Sequence, residues 1–120
     1  MCVNKMFYDI FDLIARDKIE EHGFSVHFIG NGECEFGKCS NAGRDFWFTV
    51  NIGDSFTEFA NNIVEEYYRF DVSEETYLWL DNTGHGKNGA PYDMKDVYED
   101  TAQCRDFIYE LYKIVKEMCV

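Results

Sequence analysis

Apolar residues change their spacing several times along the chain, and each change marks an element. Met6, Phe7, Ile10, Phe11 and Ile14 recur at helical intervals with Asp9, Asp12, Arg16 and Asp17 between them, so the chain opens on an amphipathic helix that Gly23 closes. His22 falls at the end of that helix, where a cation favours the dipole. The period then drops to two: Phe24, Val26 and Phe28 alternate with Ser25, His27 and Ile29, and Gly30, Asn31 and Gly32 mark a hairpin turn. Glu33 to Cys39 reads as a weaker second strand, and Asn41 to Arg44 as a second turn. In the third strand Phe46, Phe48, Val50 and Ile52 face one way and Trp47, Thr49 and Asn51 the other. Three strands joined by short turns predict an antiparallel meander.

Helical spacing returns after the sheet. Asp54 and Ser55 offer caps, Ser55 with Glu58 fits a capping box, and Phe56, Phe59, Ala60, Ile63, Tyr67 and Phe70 form the expected buried stripe. The run from Ser73 to Asp81 contains Tyr77, Leu78, Trp79 and Leu80, which could alternate as a strand; Ser73 followed by Glu74 and Glu75 starts a helix, and a short helix is expected. A glycine-rich loop from Thr83 to Pro91 precedes the longest helix, expected over Asp93 to Met118. Its stripe is Met94, Val97, Thr101, Cys104, Ile108, Leu111, Val115 and Met118. The expected fold is therefore a single α+β domain over residues 1–120, with an N-terminal helix, a three-stranded antiparallel meander, then two to three helices packed on one sheet face.

Charge narrows the function classes. A net charge of −12 on 120 residues repels nucleic acid and anionic membrane and attracts basic protein. No apolar run reaches the roughly 18 residues that span a bilayer, and Asp9 and Asp12 interrupt the N-terminal apolar segment that a signal peptide needs. The chain is expected in the cytoplasm, with its five cysteines as free thiols. Cys34 and Cys39, an odd offset apart, point to opposite faces of a strand and would need a bulge at Gly37 to share a metal, so neither metal nor cofactor is expected.

Gly84, Gly86, Lys87 and Gly89 belong to a GlyHisGlyLysAsnGly loop that fits GxGxxG literally, which would suit a nucleotide or small anion. The fingerprint needs a preceding parallel strand within a βαβ unit, which this order of elements does not provide, and a turn built on positive-φ glycines accounts for the same residues. His22, His27 and His85 lie in no catalytic signature. The acids are more informative. Residues 65–100 hold ten acids (Glu65, Glu66, Asp71, Glu74, Glu75, Asp81, Asp93, Asp96, Glu99, Asp100) against Arg69, Lys87 and Lys95, seven of the twelve net negative charges. Along the last helix Asp96, Glu99, Gln103, Asp106, Glu110, Lys113 and Glu117 advance by three or four, steps of about 5 Å, against about 3.4 Å per phosphate along a nucleic-acid strand.

The stretch from Phe70 to Asp81, the glycine loop from Gly84 to Pro91 and the acidic helix after it resemble a group of small proteins of bacterial mobile elements. The layout of helix, meander and acidic helices is similar to that of anti-CRISPR proteins that inhibit the type II effector nuclease as DNA mimics, and this resemblance implies a DNA-mimic role. The expectation is a non-enzymatic inhibitor that contacts a basic nuclease or effector through Glu65, Glu66, Asp71, Glu74, Glu75, Asp96, Glu99, Asp100, Asp106 and Glu110. The alternatives are an immunity protein or antitoxin covering a basic toxin, and a small nucleotide-binding enzyme that uses the glycine loop.

Overall fold

The computed structural model describes residues 5–87 and 89–119, with side chains from Phe7 onward. Cys2, the side chain of Met6, and Asn88 of the glycine loop therefore lie outside the described residues. The first helix runs through three continuous segments: α1 (Lys5–Ile10), a π-helical turn (Phe11–Ala15) and α2 (Arg16–Glu21). Its buried side chains are Phe7, Phe11, Ala15 and Ile19, each four positions after the last. A step of four overshoots a turn of about 3.6 residues, and the wider i→i+5 turn in the middle rotates the stripe back onto the core. Ile10 and Ile14, expected in the stripe, are consequently displaced outward, where Ile14 is 60% and neighbouring Leu13 75% exposed. Gly23 follows at φ 90°, and His22 Nδ1 donates to the Lys18 carbonyl at 2.9 Å, capping the helix end.

Strands β1 (Ser25–Gly30), β2 (Glu33–Cys39) and β3 (Asp45–Asn51) form one antiparallel sheet in sequential order. Asn31 and Gly32 turn the first hairpin with φ of 53° and 78°, the left-handed pair that a two-residue loop with matching twist requires. The register sets Val26, Phe36 and Phe48 side by side, and Phe28, Cys34 and Val50 in the next row. These rows face the helices. On the opposite face His27, Glu35 and Thr49 align, as do Ser25, Gly37 and Trp47. A Cβ on Gly37 would come within 2.6 Å of the Trp47 ring, so the glycine is what lets the indole lie against the strand.

Helix α3 (Phe56–Arg69) begins where Ser55 Oγ accepts from Glu58 N at 3.1 Å; Glu58 Oε2 reaches back to the amide of Asp54. The Ser73–Asp81 region contains the short helix α4 (Val72–Leu78), capped by Asp71 rather than Ser73. Helix α5 (Met94–Lys116) buries Val97, Thr101, Cys104, Ile108, Leu111 and Val115, and adds Asp100, Phe107 and Ile114, whereas Met94 faces outward. The architecture is thus α+β, with α3 packed on β3 and α5, α2 on β1 and α5, and α4 on α5.

Phe36 lies at the centre of the core, with ring centroids 5.8 Å from both Phe48 and Phe59; Phe11 meets Phe59 at 5.3 Å. Phe107, Ile108, Leu111, Ile114 and Val115 bring the C-terminal half of α5 into this cluster. Lys38 fastens it to the sheet: its ammonium donates to the His22 carbonyl (2.8 Å) and to Glu110 (2.7 Å), and lies over the rings of Phe24 and Phe107. The molecule extends 51 × 28 × 23 Å with a radius of gyration of 15.6 Å, longer than the roughly 14 Å of a compact chain this size. Among the described residues no helix is long and apolar enough to cross a membrane.

Candidate functional site

The first half of α5, which bears much of the acidic row, is held by a buried polar cluster. Ser40 Oγ donates to Asp100 Oδ1, and Arg44 Nε stands 2.8 Å from Asp100 Oδ2, with neither Nε nor Oδ2 in an aligned hydrogen bond, so charge attraction holds the pair. The guanidinium also reaches Thr101 Oγ1 at 3.4 Å and Cys104 Sγ at 3.8 Å, and lies 4.1 Å from the Trp79 ring centroid. One cluster thereby ties the β2–β3 turn to α5 and to the residue after α4. Asp100 is 5% exposed and engaged inside the protein, which corrects its place among the partner-facing carboxylates. A charge can be buried this deeply because its counter-charge is buried with it.

The remaining acids divide by what they already hold. Glu110 pairs with Lys38, Glu66 pairs with Arg69 at 2.6 Å, and Asp71 caps α4 by accepting from Glu74 N at 3.0 Å. Glu99 has a loose partner in exposed Lys95 at 3.7 Å. Glu65, Glu74, Asp96 and Asp106 are exposed and enter no ion pair among the described residues, and Glu75 is half-buried. Gln103, midway along the row, accepts from Asn41 N at 2.9 Å and so fixes the β2–β3 turn against α5. Between that turn and the helix lies a groove of about 490 Å³ whose walls include Asp96, Glu99 and Pro91.

A second acidic groove, about 410 Å³, runs between β3 and α3, with Glu33, Glu58, Glu65 and Glu66 around it. Glu33 and Glu58 were not legible as site residues. Glu58 lies two turns before Glu65 on α3, whereas Glu33 joins them only through its pairing with Asn51 and the packing of α3 on β3, contacts between segments distant in the chain. Asn62 fixes this groove by donating from Nδ2 to the Asn51 carbonyl at 2.8 Å.

The amides from Gly84 to Lys87 of the glycine loop are taken up within the protein. Gly84 N donates to Asp81 O, Gly86 N to Tyr92 O and Lys87 N to Trp79 O, and a bridge pairs Leu80 with Gly86. Gly86 is required by close approach, since a Cβ there would lie 1.7 Å from the Pro91 carbonyl oxygen; Gly84 and Gly89 take φ of 82° and 84°. The loop follows α4 instead of a strand, and the amides of Gly84, His85, Gly86 and Lys87 are already bonded within the protein and not free for a phosphate. Asp81 organises the turn: one carboxylate oxygen accepts from Thr83 Oγ1 (2.6 Å), Thr83 N (2.8 Å) and His85 N (3.1 Å). These bonds, the Thr83 hydroxyl first, pull its pKa down to about 2. His85 stacks on Tyr92 with centroids 4.2 Å apart and contacts Thr83 Oγ1 through Nδ1.

His27 faces Glu35 at 3.4 Å on the open side of the sheet. Cys34 is buried and Cys39 exposed, on opposite faces of β2, and both are free, as are Cys104 and Cys119. Burial pushes the Cys34 thiol up to about 12 and that of Cys104 to about 11, so neither supplies a thiolate near neutral pH. Among the described residues no group of three or more His, Cys, Asp or Glu is placed to hold a metal ion. No family model, curated protein or solved structure matches the chain.

Proposed function

We propose that this chain is a non-enzymatic acidic binding protein that occupies the nucleic-acid channel of a basic protein, a nuclease or other effector, with carboxylates standing where phosphates would lie. The observation that supports this most is the exposed row Asp96, Glu99 and Asp106 on one helix held from beneath by the buried Arg44–Asp100 pair. From Asp96 to Asp106 the helix rises about 15 Å, the length of roughly four phosphates along one strand. A flexible acidic tail would lose conformational freedom on docking; carboxylates on a packed helix have little left to lose.

An immunity protein or antitoxin would use the same surface against a basic toxin, and competition separates the two readings. A partner captured on the immobilised chain is titrated with duplex DNA in the presence of this chain. Displacement of DNA, with potency that falls as salt rises, supports the mimic. A partner that binds the chain and DNA simultaneously overturns it. The triple variant Asp96→Lys, Glu99→Lys, Asp106→Lys is expected to weaken binding by about tenfold or more, since each reversal adds repulsion against a basic surface. A matched triple at exposed Asp9, Asp17 and Glu21 tests whether total charge alone decides; equal loss in both triples removes the localised site.

A further inference from the structure

Beside the acidic row, α4 and α5 leave an apolar groove of about 390 Å³ between them. Thr76, Tyr77 and Leu80 form one wall and Met94 and Tyr98 the other. Three of these are open to solvent: Tyr77 is 77%, Met94 57% and Tyr98 48% exposed. Leu78, next to Tyr77, is also exposed. Met94 belongs to the sequence pattern of the buried stripe, yet burial on α5 begins at Val97. Large apolar groups gathered at one concave place differ from single exposed residues, which are ordinary on any surface.

The surroundings specify the occupant. Glu74, Asp93 and Glu99 are exposed and adjoin in the chain the lining residues Ser73, Met94 and Tyr98, and Lys95, the one base lining the groove, is paired with Glu99. A neighbouring groove shares Ser73 and Tyr98 with it and adds Asp71 and Glu74. The two arginines there are already engaged, Arg69 with Glu66 and Arg105 over the Tyr67 ring with its Nε on the Tyr67 carbonyl. A second copy of this chain would bring another −12 and the same acidic rim to the contact. Like charge disfavours that pairing.

We propose that the groove receives apolar side chains carried on a basic amphipathic segment of the partner, so that the acids steer and the groove anchors. This rests on the reading of the partner as basic. It adds an apolar anchor that DNA does not offer, and hence a means of selecting one basic protein among many.

The test uses two synthetic Lys-rich helical peptides of equal charge, one with Leu and Trp a helical turn apart on one face, the other with Ala at both places, and fluorescence anisotropy as the readout. The Leu/Trp peptide is expected to bind about tenfold or more tighter, the order set by burial of one large apolar side chain. The double variant Met94→Ser, Tyr98→Ser should abolish that preference while binding the Ala peptide as before, which also shows that it is folded. The Asp96, Glu99, Asp106 triple to Lys should weaken both peptides alike. Equal binding of the two peptides, or a preference that survives the double variant, overturns the groove and leaves the basic-partner reading standing. Binding of neither overturns both. An uncharged Leu/Trp peptide that binds as tightly as the basic one, or self-association in sedimentation that the double variant removes, overturns the basic occupant.

Discussion

Asp100 and Glu99 are adjacent in the chain, and their carboxylates have opposite fates. Asp100→Ala strands the Arg44 guanidinium in a buried site, and a cost of about 3–5 kcal/mol is expected. Glu99→Ala should stay within about 0.5 kcal/mol of the parent. Thermal unfolding of the two variants checks this, and equal melting temperatures would contradict the buried pair. Spacing shows that position 100 borders the apolar stripe, but it does not reveal Arg44, which reaches Asp100 only when the β2–β3 turn folds over α5. Asp81 is a second residue whose partners matter. Its pKa is lowered from the ordinary 3.8 to about 2, so the folded loop binds the proton less well than the unfolded chain. The stabilisation is complete above about pH 4 and is lost as pH falls toward 2. Side-chain carboxyl shifts in an NMR titration should place the Asp81 midpoint in that low range, and Thr83→Val should move it upward by removing the strongest of its bonds.

Alternation is a local property, and at the level of elements it was legible. The outward and inward sets of β3 are those that the period of two assigns, because each residue's face is fixed by its neighbours. Phe48→Asp should therefore unfold the domain by placing an unpaired charge between Phe36 and Phe46, while Thr49→Lys, directly opposite Glu35, should stay folded. Circular dichroism of both variants decides, and equal sensitivity would mean that both sheet faces are covered. The first helix shows where locality ends. Its apolar residues fit a regular α stripe through Ile10 and Ile14, but the core selects Phe7, Phe11, Ala15 and Ile19, and the π turn follows from that demand. Asp71 displaced Ser73 as the cap of α4 for a related reason. Both are competent caps, and the end of the preceding helix at Arg69 decided between them.

On the scale of the whole molecule, α5 belongs to two neighbourhoods. Its second half lies in the aromatic core, and its first half rests on the Arg44 cluster beside α4. The grooves emerge from this arrangement, and only single acids of their walls, such as Glu65, Glu66, Glu74, Asp96 and Glu99, were visible beforehand, because a row is written in one helix whereas a groove needs two elements. Charge is uneven along the chain: seven of the twelve net negative charges lie in residues 65–100, and α5 ends in Lys113 and Lys116. On a charge spread unevenly, the field of a cationic surface exerts a torque as well as a pull. At physiological ionic strength screening acts over about 8 Å, a small fraction of the 51 Å length. Rotational alignment is thus confined to the last nanometre of approach, and most collisions must be corrected by turning on the surface before they become productive.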